Sequence, residues 1–357
     1  MANSYKDLNK AKANKNDEFY TRLSDIELEL KHYKDYFKGK VVFCNCDDPF
    51  ESNFFKYFAL NFNYLELKKL IATCYATSPV AYTQLNLFGE EEKVYDKSKI
   101  KKAYKVEIIE VKDINNDGAV DLSDVELLLK NDKNTIKKLK GDGDFQSDEC
   151  IKLLKECDIV VTNPPFSLFR TFVSMLTQYK KDFIIIGNTN SLTYKEVFPL
   201  IKADKARTGY TNFNTGMFFE IPDSYEKYHH IENGKKIARV ASSCWITTLP
   251  VKKHKELLTL YKKYSEDQYI KYDNFDAIDI KTYTDIPYDY KGIMGVPITF
   301  LDKLNPEQFE LLGVGSGDFA KELGIKRNYR GRTDLAYTID GKNKCPFGRV
   351  LIRNKMI

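Results

Sequence analysis

Three short runs of unbroken apolar residues constrain the fold more than any other feature. They are Val41-Val42-Phe43-Cys44, Ile159-Val160-Val161-Thr162 and Phe183-Ile184-Ile185-Ile186. None alternates apolar with polar, so a strand built from any of them must be covered on both faces. Helical spacing precedes each run: Ile26, Leu28, Leu30, Tyr33 and Phe37, then Cys150, Leu153 and Leu154, then Leu168, Phe169, Phe172, Met175 and Leu176. Doubly covered strands separated by amphipathic helices predict an α/β fold, a mostly parallel sheet with helices on both faces. Residues 70–75 and 106–111 read as further strands. Beyond about residue 205 the pattern changes: 210–222 and 240–250 read as strands joined by a polar, His-containing stretch, and a helix is expected over 254–264. A soft boundary near 250 predicts a domain over 1–250 and a smaller region over 251–357.

Composition excludes little beyond disorder. The 357 residues are 43% apolar and 13% aromatic, enough for a sizeable core. A formal charge of +5, spread along the chain, suits a phosphate-contacting surface and an ordinary soluble protein equally. The amino-terminal stretch has no apolar signal region, and no run approaches the roughly 18 apolar residues of a membrane span. Seven scattered cysteines, with Cys44 and Cys46 closest, predict reduced thiols in a cytoplasm. No membrane partner is expected.

Chemistry concentrates at Asn163-Pro164-Pro165-Phe166, which follows the apolar run 159–162 directly. Open parallel sheets bind ligands at the carboxyl ends of their strands, where this turn must lie. The amino group of adenine is a poor nucleophile because its lone pair is delocalised into the ring. Two acceptors on its N–H groups favour a pyramidal nitrogen, and the Asn163 side-chain carbonyl and Pro164 backbone carbonyl supply two. The prolines keep those acceptors aimed, and Phe166 offers a face to a base drawn out of a duplex. A merely rigid strand-to-helix turn is the competing reading.

A second motif spans residues 113–124. Asp113, Asn115, Asp117, Asp121 and Asp124 fall at positions 1, 3, 5, 9 and 12 of a calcium loop, with Gly118 at 6. The spacing suits a structural calcium or magnesium site, although position 12 is Asp rather than the usual Glu, and a metal-free acidic turn is the competing reading. His229-His230 lacks a third ligand nearby and reads as an exposed linker. Trp245, the only tryptophan, is placed in the core rather than against an extruded base.

Several segments together resemble the EcoRI-type family of adenine-specific DNA methyltransferases, over nearly the whole chain. They include 15–21, Cys44-Asn45-Cys46-Asp47-Asp48-Pro49, 141–147, 161–170, 187–190, 193–196, 294–297 and 305–309. The resemblance implies a Rossmann-like S-adenosylmethionine-dependent methyltransferase fold with a carboxyl-terminal target-recognition region. It implies that Phe19, Tyr20 and Thr21 meet the methionine end of the cofactor. Asn45, Cys46, Asp47, Asp48 and Pro49 form the first strand–turn–helix at the cofactor, without the usual glycine-rich loop. Asp144 accepts from the cofactor's adenine amino group while Phe145 packs on its ring. No carboxylate for the ribose is identified at Thr73-Cys74-Tyr75. The implied reaction is direct transfer of methyl to N6 of a flipped adenine in double-stranded DNA, in a restriction–modification or epigenetic role. A cognate restriction endonuclease would be a functional partner without a stable complex. An N4-cytosine or RNA adenine enzyme shares the fold and is the alternative. In the carboxyl-terminal region Lys326, Arg327, Arg330 and Arg332 cluster near Tyr329, and Arg349, Arg353 and Lys355 form a second basic group; both are candidates for phosphate contacts or guanine readout, with a plain solvated surface as the equal alternative.

Overall fold

The computed structural model describes residues 20–46, 52–74, 103–112, 124, 135–221, 223 and 225–357. Two compact units make up the chain: residues 1–187 with 209–249, and residues 188–208 with 250–357.

The first unit is an α/β arrangement. Its strands run in the order Thr135–Lys138, Tyr104–Ile108, Lys69–Thr73, Val41–Cys44, Ile159–Thr162, Asp182–Asn188 and Ser243–Thr247. The apolar runs form the parallel middle: Val42 pairs with Leu70 and Ile159, and Val161 with Ile184. Their side chains are buried throughout, as doubly covered strands require. One edge is antiparallel, with Ile71 opposite Glu107 and Val106 opposite Ile136. Those edge strands carry Lys105, Glu107, Lys137 and Lys138, charges that a solvated, blunted edge accommodates.

Local chemistry sets the helices. Ser52 caps Asn53–Leu60 by accepting from Phe54 N at 3.2 Å, and Ser147 caps Asp148–Glu156 by accepting from Cys150 N at 3.3 Å. Asp148 and Glu149 add negative charge at that second amino terminus. Helix Phe169–Gln178 buries Phe169, Phe172, Val173, Met175 and Leu176. Gly187 permits its close seat on the sheet, because a Cβ there would lie 2.9 Å from both Phe169 and Ile246. A smaller antiparallel sheet joins Tyr20–Thr21, Met217–Ile221, Lys235–Val240 and His230–Glu232. Asn233 and Gly234, both with positive φ, turn its hairpin. Trp245 lies fully buried, its indole N–H donating to Asn212 Oδ1 at 3.3 Å.

The second unit holds the sheet Ala277–Asp279, Ile293–Pro297, Arg349–Asn354, Phe309–Val314. Residues 188–208 belong to this unit. Thr208 Oγ1 donates to Asp302 at 3.0 Å and meets His254 Nε2 at 3.0 Å, Lys202 Nζ reaches the Leu312 carbonyl at 2.7 Å, and Phe198 packs on Phe319. The helix expected over 254–264 does not form; a short 3-10 turn at Lys252–Lys255 gives way to irregular chain. Tertiary partners take the backbone instead. Gln308 accepts from Leu258 N and donates to its carbonyl, Tyr288 N donates to the Lys262 carbonyl, and Asp289 accepts from Tyr264 N. Among the described residues no helix is long and apolar enough to cross a membrane.

Candidate active site

Three parallel strands of the first unit end side by side at Asn45, Cys74 and Asn163. Side chains lock these ends together. Thr73 Oγ1 donates to Asn45 Oδ1 at 3.2 Å, and Thr162 Oγ1 donates to the Asn45 carbonyl. Asn45 is wholly buried, while Cys46 takes a left-handed φ of 71° as the chain leaves the strand. The turn that follows Thr162 is not sealed in the core: Pro164 is buried, but Asn163, Pro165 and Phe166 are half-buried and Ser167 and Leu168 exposed. The Pro165 carbonyl accepts from Leu168 N at 3.0 Å and starts the next helix.

The small sheet supports this turn from a direction the sequence did not reveal. Phe166 meets the buried Phe219 edge-to-face, ring centres 6.4 Å apart. Phe219 pairs with Thr21, and the Thr21 carbonyl accepts from Asn53 Nδ2 at 2.7 Å. A run of contacts results: Phe166 to Phe219, Phe219 to Thr21 and Thr21 to Asn53. Thr21 is thereby tied both to the amino end of helix Asn53–Leu60 and, through Phe219, to Phe166. Phe219 and Asn53 were missed in the sequence; the buried-exposed alternation over Met217–Ile221 is the signal that points Phe219 inward.

The Asp144-Phe145 segment is held to the same edge through Gly143. At φ 81° and hard against the Cys74 carbonyl, Gly143 leaves no room for a Cβ, which would also lie 2.8 Å from Ala103. Asp144 is half-buried and accepts from Gln146 N at 2.8 Å. Phe145 is buried and packs edge-to-face on Phe172, 5.3 Å between centres, so it braces the helix after the Asn163 turn. Two buried polar atoms in this neighbourhood, Asn45 Nδ2 and Thr21 Oγ1, have no hydrogen-bond partner among the described residues. A cavity of about 390 Å³ opens at the opposite, amino-terminal strand ends, lined by Lys40, Asp158, Lys180, Lys181 and Asp182, and takes no part in this arrangement.

Phe19, Asp47, Asp48 and Pro49 lie outside the described residues, as do Asp113, Asn115, Asp117 and Asp121. Asp124 is described and buried. Among the described residues no group of three His, Cys, Asp or Glu is placed to hold a metal, so the calcium site gains no support. The second basic group has intramolecular partners. Arg349 is committed to Asp279 at 2.8 Å, Arg353 to Glu310 at 3.2 Å, and Lys355 Nζ to the Pro306 carbonyl at 2.8 Å.

With this geometry stands a family match over residues 7–355, described as adenine-specific methyltransferase EcoRI. The chain belongs to this family. It is an adenine-specific methyltransferase of the type II restriction–modification class. The chain is 44% identical to the type II methyltransferase M.EcoRI of Escherichia coli, over 98% of this chain and 97% of that relative. Two Mycoplasma relatives are each 34% identical. They are the type II methyltransferases M.MgeORF184P of Mycoplasma genitalium (98% of this chain, 99% of the relative) and M.MpnI of Mycoplasma pneumoniae (97% and 98%). No solved structure matches the chain.

Proposed function

We propose that this enzyme transfers a methyl group from S-adenosylmethionine to N6 of an adenine flipped out of double-stranded DNA, with Asn163–Phe166 as the catalytic turn. The observation that carries the reading is the half-exposed Asn163 turn at the carboxyl end of a central parallel strand, braced by Thr162, Asn45 and Phe219. Asn163 and the Pro164 carbonyl accept from the two amino protons, which leaves the nitrogen lone pair directed at the incoming methyl. Phe166 stacks on the base. Its backing by Phe219 fixes the depth of the base, and the two prolines limit the motion of both acceptors.

The donors at the strand ends fit the cofactor. Asn45 Nδ2 supplies an N–H suited to a carboxylate, Thr21 Oγ1 a hydroxyl, and Asp144 an acceptor for a purine amino group. Bound there, the cofactor supplies an electrophilic methyl on a sulfonium. Tyr20, Cys46 and the turn 47–49 complete the enclosure in this reading, with Phe19 at its amino-terminal side and Phe145 as the wall that packs the ring. The sheet of the first unit then corresponds to a Rossmann-like methyltransferase core, and the 251–357 region to target recognition. The enzyme acts in the cytoplasm, alongside a cognate endonuclease that shares its site without binding it.

Incubation with duplex DNA and isotopically labelled S-adenosylmethionine, followed by nucleoside mass spectrometry, tests the proposal. Labelled N6-methyladenine is expected. Label in N4-methylcytosine, or only in RNA, would overturn it.

A further inference from the structure

The strongest feature outside the catalytic turn is an aromatic side chain held out into solvent. Phe347, on the Cys345-Pro346-Phe347-Gly348 loop, is 81% exposed. Isolated apolar residues on a surface are ordinary, and exposure alone would mean nothing. What sets Phe347 apart is how firmly its backbone is fixed. Pro346 restricts the chain before it. Gly348 follows with φ 57°, and its carbonyl accepts from Ile298 N at 2.7 Å. The Phe347 carbonyl itself accepts from Arg349 Nη1 at 3.2 Å. Arg349 cannot drift, since it pairs with the buried Asp279, which also accepts from Tyr272 OH at 2.5 Å. A side chain that gains nothing from the fold is presented on a rigid tip.

The tip sits within a basic surface. Asn328 donates to Cys345 Sγ at 3.4 Å and accepts from Arg330 N and Arg332 N at 2.8 and 3.3 Å, which shapes the 328–332 turn against the Phe347 loop. Tyr329 OH reaches the Asn343 carbonyl at 3.4 Å on the neighbouring hairpin, and Arg330 lies over the Tyr329 ring. Residues 326–344 carry six cations, Lys326, Arg327, Arg330, Arg332, Lys342 and Lys344, against two acids, Asp334 and Asp340. All six cations are exposed, and none is ion-paired among the described residues. Cations around a fixed apolar tip match a polyanion whose interior is apolar and stacked.

We propose that Phe347 is a wedge that enters between base pairs of duplex DNA, while Lys326, Arg327, Arg330, Arg332, Lys342 and Lys344 hold the flanking phosphates. The proposal rests on the reading of the enzyme as a duplex-DNA methyltransferase. It adds an insertion between base pairs to the extrusion of the adenine.

Linking-number change tests it. Nicked plasmid that carries sites methylated by the wild-type enzyme is ligated in the presence of saturating protein. Wild-type enzyme is expected to unwind the plasmid, Phe347→Ala to lose at least half of that unwinding, and Phe347→Leu, still an apolar wedge, to keep most of it. Arg330→Gln and Lys344→Gln are expected to raise Kd several-fold and each to lower the slope of log Kd against log salt by about 0.9, with unwinding at saturation unchanged. Because Phe347 is exposed, its variants should melt with the wild type. If Phe347→Ala unwinds DNA as fully as the wild type, the wedge is wrong. If the charge variants leave the salt slope intact, the phosphate contacts are wrong. Wild-type enzyme that leaves duplex DNA without N6-methyladenine would instead indict the underlying reading, a result scored separately by nucleoside analysis.

Discussion

At the residue scale, a buried carboxylate shows how the first unit orders a loop that carries no regular structure. Glu29 is fully buried and accepts from Tyr33 OH, Tyr210 N, Thr211 N and Thr211 Oγ1 at 2.7–2.8 Å. Gly209 is required beside it, since a Cβ there would collide with the carboxylate and lie 2.5 Å from Trp245 Cβ. Every one of those partners donates, so an amide NH2 in place of one oxygen would face donors. Glu29→Gln is therefore expected to cost about 1–3 kcal/mol, measured by denaturant unfolding, with Tm lowered in parallel. Asn163→Ala removes one of the two acceptors assigned to the amino group. Turnover should fall on the order of 10²–10³-fold, while calorimetric cofactor binding stays near wild type. Unchanged turnover would remove Asn163 from the mechanism. Asn163 and its prolines were legible in the sequence because their spacing after Ile159–Thr162 places them at a strand end. Phe219 was not, because its pairing with Thr21 joins residues about two hundred positions apart, which no local pattern records.

At the element scale, the sheet edge carries its own acid sensitivity. Glu107 lies between Lys69 at 2.9 Å and Lys105 at 3.2 Å, and Lys69 also holds Glu156 at 2.6 Å. Burial alone would push the Glu107 carboxyl up, but the lysine hydrogen bonds outweigh it and hold the pKa below the usual 4.5. A carboxylate depressed in the folded state stabilises above its unfolded pKa, and that contribution disappears as pH falls through the lower folded value. Glu107→Gln should thus be less stable than wild type at neutral pH, and the gap should close as pH falls below 4.5. Unfolding free energies compared at pH 7 and pH 3 would check this, and a constant gap would refute it. The buried parallel strands were readable because apolar continuity survives any tertiary context. The expected 254–264 helix failed because its spacing is only a propensity, and Gln308, Tyr288 and Asp289 offer its backbone better-placed partners.

At the scale of the whole molecule, the order of segments matters more than their lengths. The second unit takes its chain from two places, and the intervening 209–249 stretch belongs to the first. Thr208, Lys202 and Phe198 supply hydrogen bonds and packing that 250–357 alone would lack. A fragment of 250–357 is expected to show no cooperative thermal transition, whereas 188–357 retains those partners. A sharp transition in the shorter fragment would contradict that dependence. Unit membership of 188–208 was invisible in the sequence, where the only boundary that composition marks lies near residue 250.

The threading has a further consequence for the origin of new specificities. Exchange of tails between two relatives at one crossover point would graft residues 250–357 of one onto residues 188–208 of the other. The hybrid would inherit mismatched halves of a single core. Under the proposed target-recognition role of 251–357, specificity within this lineage is expected to drift by substitution at exposed positions rather than to jump by recombination.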